Sequence, residues 1–147
     1  MSKEDVNTHL LNAIYQNAKM GEEAISMLLQ ATPGQPICAD LHTQLKNYTD
    51  VATEAANQLI AHKAAPTDNP PMAKAGLWGS VKLNMLSDKS EGHIAEMMIQ
   101  GSTMGIVDMT RELKEADQAE QAVSDLGQSL IQQEQDHIER MKAYLGE

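Results

Sequence analysis

The stretch EQDHIERM near the C-terminus sets Glu134 and His137 three residues apart. On a helix, side chains three apart project the same way. A carboxylate and an imidazole so placed are half of a device by which helical bundles hold iron or manganese, cations that take oxygen donors assisted by imidazole. The complete device draws one Glu from each of two helices and a Glu-x-x-His from each of the other two. Its buried acids need the charge of the metals to offset their desolvation.

The elements that would carry such a site are legible as long amphipathic helices. The first is expected over about residues 3–31, with Ser2 as N-cap, Asp5 three residues on, and a stripe of Leu10, Ile14, Gly21, Ile25 and Leu28. TPGQP ends it, because Pro33 and Gly34 are turn residues. The second is expected over 37–62, with Pro36 at its first position and Leu41, Leu45, Tyr48, Ala52, Ala55 and Leu59 on its stripe. After AAPTDNPP a weaker helix over 73–86 carries Leu77, Trp78, Val81 and Met85. LSDKSEGH then reads as a boundary, with Ser87 or Asp88 as cap. The third long helix follows over 89–115, with Ile94, Met98, Gly101, Gly105 and Met109 on one face. Asp117 and Glu120 stand at capping-box spacing before the last helix, expected over 118–145. Its stripe is Val123, Leu130, Glu134, Met141 and Leu145, with His137 and Ile138 beside it.

Helices of nearly equal length, each about 40 Å long at 1.5 Å per residue, can share one core from end to end. Short turns join the first to the second and the third to the fourth, so each pair is expected to be an antiparallel hairpin. A long connection carrying the short helix joins the hairpins. The fold class is therefore all-α, a ferritin-like four-helix bundle in a single domain over residues 1–147.

Placed on these helices, Glu134 falls near the middle of an apolar stripe, between Leu130 and Met141, where a carboxylate needs a partner. The other helices offer no matching acids at stripe positions. Glu22 and Glu23 flank the stripe at Gly21, Asp50 and Glu54 point away, His42 lies at a stripe edge, and Asp108 lies two turns from the centre of its helix. Two readings stand. In one, Glu134 is a buried carboxyl hydrogen-bonded to His137, Asn17, Tyr48 or Ser102. In the other, Glu134 and His137 ligate iron or manganese with help from Glu22, Glu23, His42 and Asp108. Gly101-x-x-x-Gly105 allows close helix packing, or leaves a pocket where side chains are missing. Met97, Met98, Met104 and Met109 read as core or interface, and His9, His42, His62 and His93 as surface or cap residues.

Composition bounds the rest. The chain has 147 residues, no Phe, one Trp and ten Met, so its core is built from Leu, Ile, Val, Ala and Met, which suits helices better than strands. A net charge of −10 without a basic run argues against nucleic acid and against an anionic membrane surface. One cysteine allows no internal disulfide, and Cys38, in the first turn of a helix, reads as a small buried residue. The N-terminus, MSKEDVNTHLL, has no signal-like apolar run, and the expected location is cytoplasmic. No phosphate loop or nucleophile elbow is present, so the chain is not expected to be an enzyme.

LLNAIYQNAKMGEEAISMLL at the start, GLWGSVKLNMLSDKSEGHIAEMM at the crossover and QSLIQQEQDHIERMKAYL at the end make the chain resemble the ferritin-like superfamily, specifically a small bacterial ferritin-like domain family of unknown function. The resemblance spans nearly the whole chain and implies a bundle, often oligomeric. Members often carry metal-binding glutamates in their first and third helices. The matching positions here are Met20 and the stretch from Met98 to Ser102, so that Glu134 and His137 alone follow the ligand pattern. The expectation is a bundle without a complete di-metal site or cofactor, acting through protein association as a homodimer with a Met-rich helix face. The alternative is an iron or manganese protein with redox or storage activity.

Overall fold

The computed structural model describes residues 2–146. They form helices α1 (Lys3–Ala31), α2 (Ile37–Ala61), α3 (Pro71–Ser87), α4 (Glu91–Glu115) and α5 (Gln121–Lys142), with no strand among the described residues. The fold is an all-α helical bundle. No helix among the described residues is long and apolar enough to cross a membrane.

Local chemistry sets each helix end. Ser2 Oγ accepts from the Asp5 N–H at 3.1 Å while the Asp5 carboxylate accepts from the Ser2 N–H, a reciprocal cap that opens α1 where expected. Pro36 stands at the N-cap of α2, one position earlier than expected. The free N–H of Ile37 is taken by Glu91 Oε2 of α4 at 2.7 Å, which ties the starts of α2 and α4 together. The chain leaves α2 through Lys63, whose φ of 60° ends the helix just short of the expected boundary. Pro71 opens α3 two residues early, since proline lacks only an N–H that a first turn leaves free.

Two expected caps are corrected. Ser87 is the last residue of α3, and Asp88 accepts from the Ser90 N–H at 2.8 Å in a turn, leaving Ser90 to cap α4 by accepting from the His93 N–H. Asp117 does not start α5. Its N-cap is Glu120, whose backbone N–H donates to Asn7 Oδ1 of α1 at 2.7 Å. α5 also ends at Lys142, so Leu145 falls beyond the helix and is 42% exposed instead of completing the stripe.

The core is contributed by every helix. Leu10, Leu11, Ile14, Ile25 and Leu28 of α1 meet Leu41, Val51 and Leu59 of α2, Ile94 and Met109 of α4, and Val123, Leu130 and Met141 of α5. The most extensive helix contacts are α1 with α2 and α4 with α5. α3 packs on α1 and buries only Val81 and Met85. Its Trp78 is 53% exposed, and Met72, Leu83 and Leu86 are more exposed still. The crossover before α3 is pinned to α1: the Thr67 N–H donates to Asn12 Oδ1, Gln16 Nε2 donates to the Thr67 carbonyl, and Asn69 Nδ2 donates to the Gln16 carbonyl. Gly101, expected on the inner face of α4, is exposed, and Ser102 takes the buried place beside it.

Candidate functional site

Glu134 and His137 both lie in the core, with side chains 3% and 4% exposed. Glu134 Oε1 collects three donors from three helices. They are the Tyr48 hydroxyl of α2, the Ser102 hydroxyl of α4 at 3.3 Å and, one turn along α5, His137 Nδ1 at 3.1 Å. An ionised carboxylate only accepts, so three donors meeting on one oxygen suit it. Asn47 Nδ2 donates to His137 Nε2 at 3.2 Å, which leaves the imidazole proton on Nδ1, directed at Glu134. The Tyr48 ring meets the His137 ring edge-on, with centroids 5.3 Å apart. Burial pushes the Tyr48 phenol well above its ordinary pKa, and the neighbouring Glu134 charge adds to the shift, so Tyr48 remains a donor.

Two glycines make room for this arrangement. A Cβ on Gly21 would stand 2.7 Å from the Tyr48 ring, and one on Gly105 would stand 2.5 Å from Glu134 Oε2. Oε2 takes none of the three hydrogen bonds. It lies against Gly105 on the side where Asn17 Oδ1 is also found, 3.4 Å from the same Cβ position. Asn17 Nδ2 is turned to the Gly105 carbonyl at 3.4 Å, which leaves its Oδ1 without that proton. Asn17, Gly105 and Glu134 together line a cavity of about 560 Å³ between α1, α3 and α4. Its remaining wall is mainly apolar, with Met20, Leu28, Leu77, Met97, Met98 and Met109.

The other residues named as possible ligands lie elsewhere. Glu22 pairs with Lys19 at 3.4 Å, and Glu23 lies 3.8 Å from Lys74. Both line a separate hollow between α1 and α3 beside Trp78 and Lys82. His42 is exposed. Asp108 stands at the rim of the main cavity, 3.6 Å from Arg111. Among the described residues no three His, Cys, Asp or Glu side chains are grouped to hold a metal ion. One carboxylate and one imidazole, bonded to each other, do not fit a di-metal centre.

Of the remaining histidines, His9 pairs with Glu112, while His62 sits between Glu4 and Glu120. Cys38 is half-buried and donates to the Thr32 carbonyl at 2.9 Å. The role of Asn47 escapes a reading of the sequence, since only its place beside the stripe residue Tyr48 hints at the core. The cavity escapes it as well, apart from the pair Gly101 and Gly105. No family model, no curated protein and no solved structure matches the chain.

Proposed function

We propose that the chain is a ferritin-like bundle that binds a small molecule in the cavity beside Glu134, without a complete di-metal centre and without catalysis. The observation that carries this reading is the unequal use of the Glu134 carboxylate. Oε1 is saturated by Tyr48, Ser102 and His137, whereas Oε2 adjoins a cavity of about 560 Å³, within the size range of ligand sites. End-to-end contacts support the ferritin-like topology. His62 at the close of α2 meets Glu4 at the start of α1, Ile37 meets Glu91 where α2 and α4 both begin, and Asn7 meets Glu120 where α5 begins. Antiparallel hairpins α1–α2 and α4–α5, joined by a crossover that carries α3, satisfy all of these contacts.

The test uses n-hexanol as a neutral probe of the cavity. It is expected to raise the melting temperature of the protein, and Gly101→Leu, which adds a side chain at the cavity rim from a position with nothing near its Cβ, is expected to reduce the rise. No shift of the unmodified protein with n-hexanol, nor with n-hexylammonium or n-hexanoate in its place, would remove the reading. Elemental analysis after incubation with ferrous iron and desalting tests the metal alternative. Stoichiometric iron in the desalted protein would replace the binding reading with a metal-carboxylate one.

A second reading, association of copies through one face, has its own observation. α3 exposes Met72, Trp78, Leu83 and Leu86, and it carries lysines but no acid in a chain of net charge −10. On α4 the methionine face offers less, since Met98 and Met109 are buried and Met97 packs against the core, while Met104 is exposed. Leu83→Glu is expected to yield a monomer in sedimentation, and an unchanged mass would remove this face as an interface.

A further inference from the structure

We infer that the ligand of this cavity is an organic cation, an ammonium group on an apolar body, held by Glu134 Oε2 and Asn17 Oδ1. The inference rests on the cavity being a binding site and adds what binds there. The polar atoms at the inner end of the cavity are acceptors. The donors around Glu134 are spent on Oε1: the Tyr48 phenol, the Ser102 hydroxyl and the His137 Nδ1–H. The Asn17 amide N–H is turned to the Gly105 carbonyl. What remains is the carboxylate Oε2, on a side chain 97% buried by its 3% exposure, and the amide Oδ1. Both lie beside Gly105, Oε2 2.5 Å and Oδ1 3.4 Å from where its Cβ would stand, so the two acceptors neighbour each other at the cavity wall.

Two converging acceptors, one of them anionic, need N–H donors, and an ammonium supplies three. A carboxylate or phosphate ligand would meet repulsion and no donor at that place. A neutral alcohol could satisfy one acceptor and leave the charge uncompensated. The absence of a side chain on Gly105 is what opens Oε2 to the cavity. The apolar body follows from the rest of the wall, where Met20, Met97, Met98 and Met109 join Leu28 and Leu77. Thioether side chains adapt to ligand shape, so the wall selects an apolar body without dictating its branching. At the rim, Arg111 faces Asp108 and Glu112 faces His9, so the cation of the protein nearest the entrance already has an acidic neighbour.

The experiment is isothermal titration of the full chain with n-hexylammonium, n-hexanol and n-hexanoate, which share one body and differ in charge. Hexylammonium is expected to bind at least about ten-fold more tightly than hexanol, in line with a charge-assisted hydrogen bond. Hexanoate is expected to bind worst. Glu134→Gln is expected to weaken hexylammonium by about ten-fold or more while leaving hexanol within about two-fold. Should Glu134→Gln not fold, Asn17→Leu removes the second acceptor from a half-buried position and is expected to weaken hexylammonium alone. Equal affinity for hexylammonium and hexanol would overturn the inference and leave the cavity reading intact, as would preference for hexanoate. Binding of none of the three would overturn both.

Discussion

The two oxygens of Glu134 face two differently built regions. Around Oε1, α2, α4 and α5 close up: the phenol, hydroxyl and imidazole donors are all used, and the Tyr48 ring lies where a side chain on Gly21 would collide with it. Around Oε2, α1, α3 and α4 stand apart, and methionines and glycines border open space. Buried polar networks are rigid when every member is satisfied. The closed side therefore holds the helices in register, and the open side is free to accept a ligand. Changes that touch the Glu134 network are expected to cost stability, and changes that only border the open space to alter binding instead.

The largest effect should come from removing the shared member. Reading the sequence alone, Glu134→Leu would be expected to leave a folded and even stabilised protein, because a weakly paired buried acid gains little by being there. The three donors on Oε1 reverse that expectation. Leucine leaves the phenol, the hydroxyl and the imidazole N–H buried without an acceptor, and the loss should be about 3 kcal/mol after the apolar gain is counted. Urea unfolding measures it. Stability equal to that of the parent would mean that the closed side is not a structural network.

Two glycines one turn apart on α4 sharpen the same contrast. Alanine at position 105 would drive its Cβ into Oε2 at 2.5 Å, against a carboxylate held in place by its other oxygen. Gly105→Ala should lose about 1–2 kcal/mol. Nothing lies within 4 Å of the corresponding atom at Gly101, so Gly101→Ala should gain up to about 1 kcal/mol from helix propensity. Thermal unfolding of the two variants should move in opposite directions. Movement in the same direction would erase the distinction between a wall of the site and its open rim.

Titration gives a third contrast, between a buried and a half-buried tyrosine. Burial, with the Glu134 charge behind it, holds the Tyr48 proton well above the ordinary value of 10.0, whereas a hydrogen bond to Asp40 raises the half-buried Tyr144 to about 12. The unfolded chain releases its Tyr48 proton near the ordinary value while the folded chain keeps it. The unfolded state then binds fewer protons, and stability falls as pH rises. The Tyr48 contribution is whole below about pH 10 and declines above it by about 1.4 kcal/mol per pH unit until the folded group titrates. Tyr48→Phe should show a shallower alkaline decline in urea unfolding. Parallel curves would place Tyr48 in contact with solvent.

The legibility of these regions follows from how local their causes are. α1 ends where its sequence says, because Ser2 with Asp5 and the TPGQP turn are local signals. The starts of α4 and α5 were displaced because Asp88–Glu91 and Asp117–Glu120 imitate a cap by spacing. The acceptor that helps define the start of α5, Asn7 Oδ1, lies 113 residues away in the chain from the Glu120 N–H it takes. Glu134 and His137 were legible as a pair from helical spacing, and Tyr48 and Ser102 as candidate partners from their stripes. The cavity was not, because it depends on how α3 lies across α1 and on which face of α4 turns inward. A shift of one position, from Gly101 to Ser102, decides whether a hydroxyl reaches the carboxylate.

The smallest effect compares two polar residues one turn apart on α2. Tyr48 has its donor satisfied, whereas Gln44, 1% exposed, has both amide atoms buried without a hydrogen-bond partner among the described residues. The amide lost its water on folding and gained nothing in return, so leucine, of similar size, should fit the same space without that penalty. Gln44→Leu should raise stability by about 1 kcal/mol, read as a melting temperature a few degrees higher. The same change at the satisfied position, Tyr48→Leu, should lower it, since it strands Glu134 and opens a void beside Gly21. A loss of stability in Gln44→Leu would show that an ordered water bridges the amide, and would place Gln44 with the closed, satisfied side of the bundle.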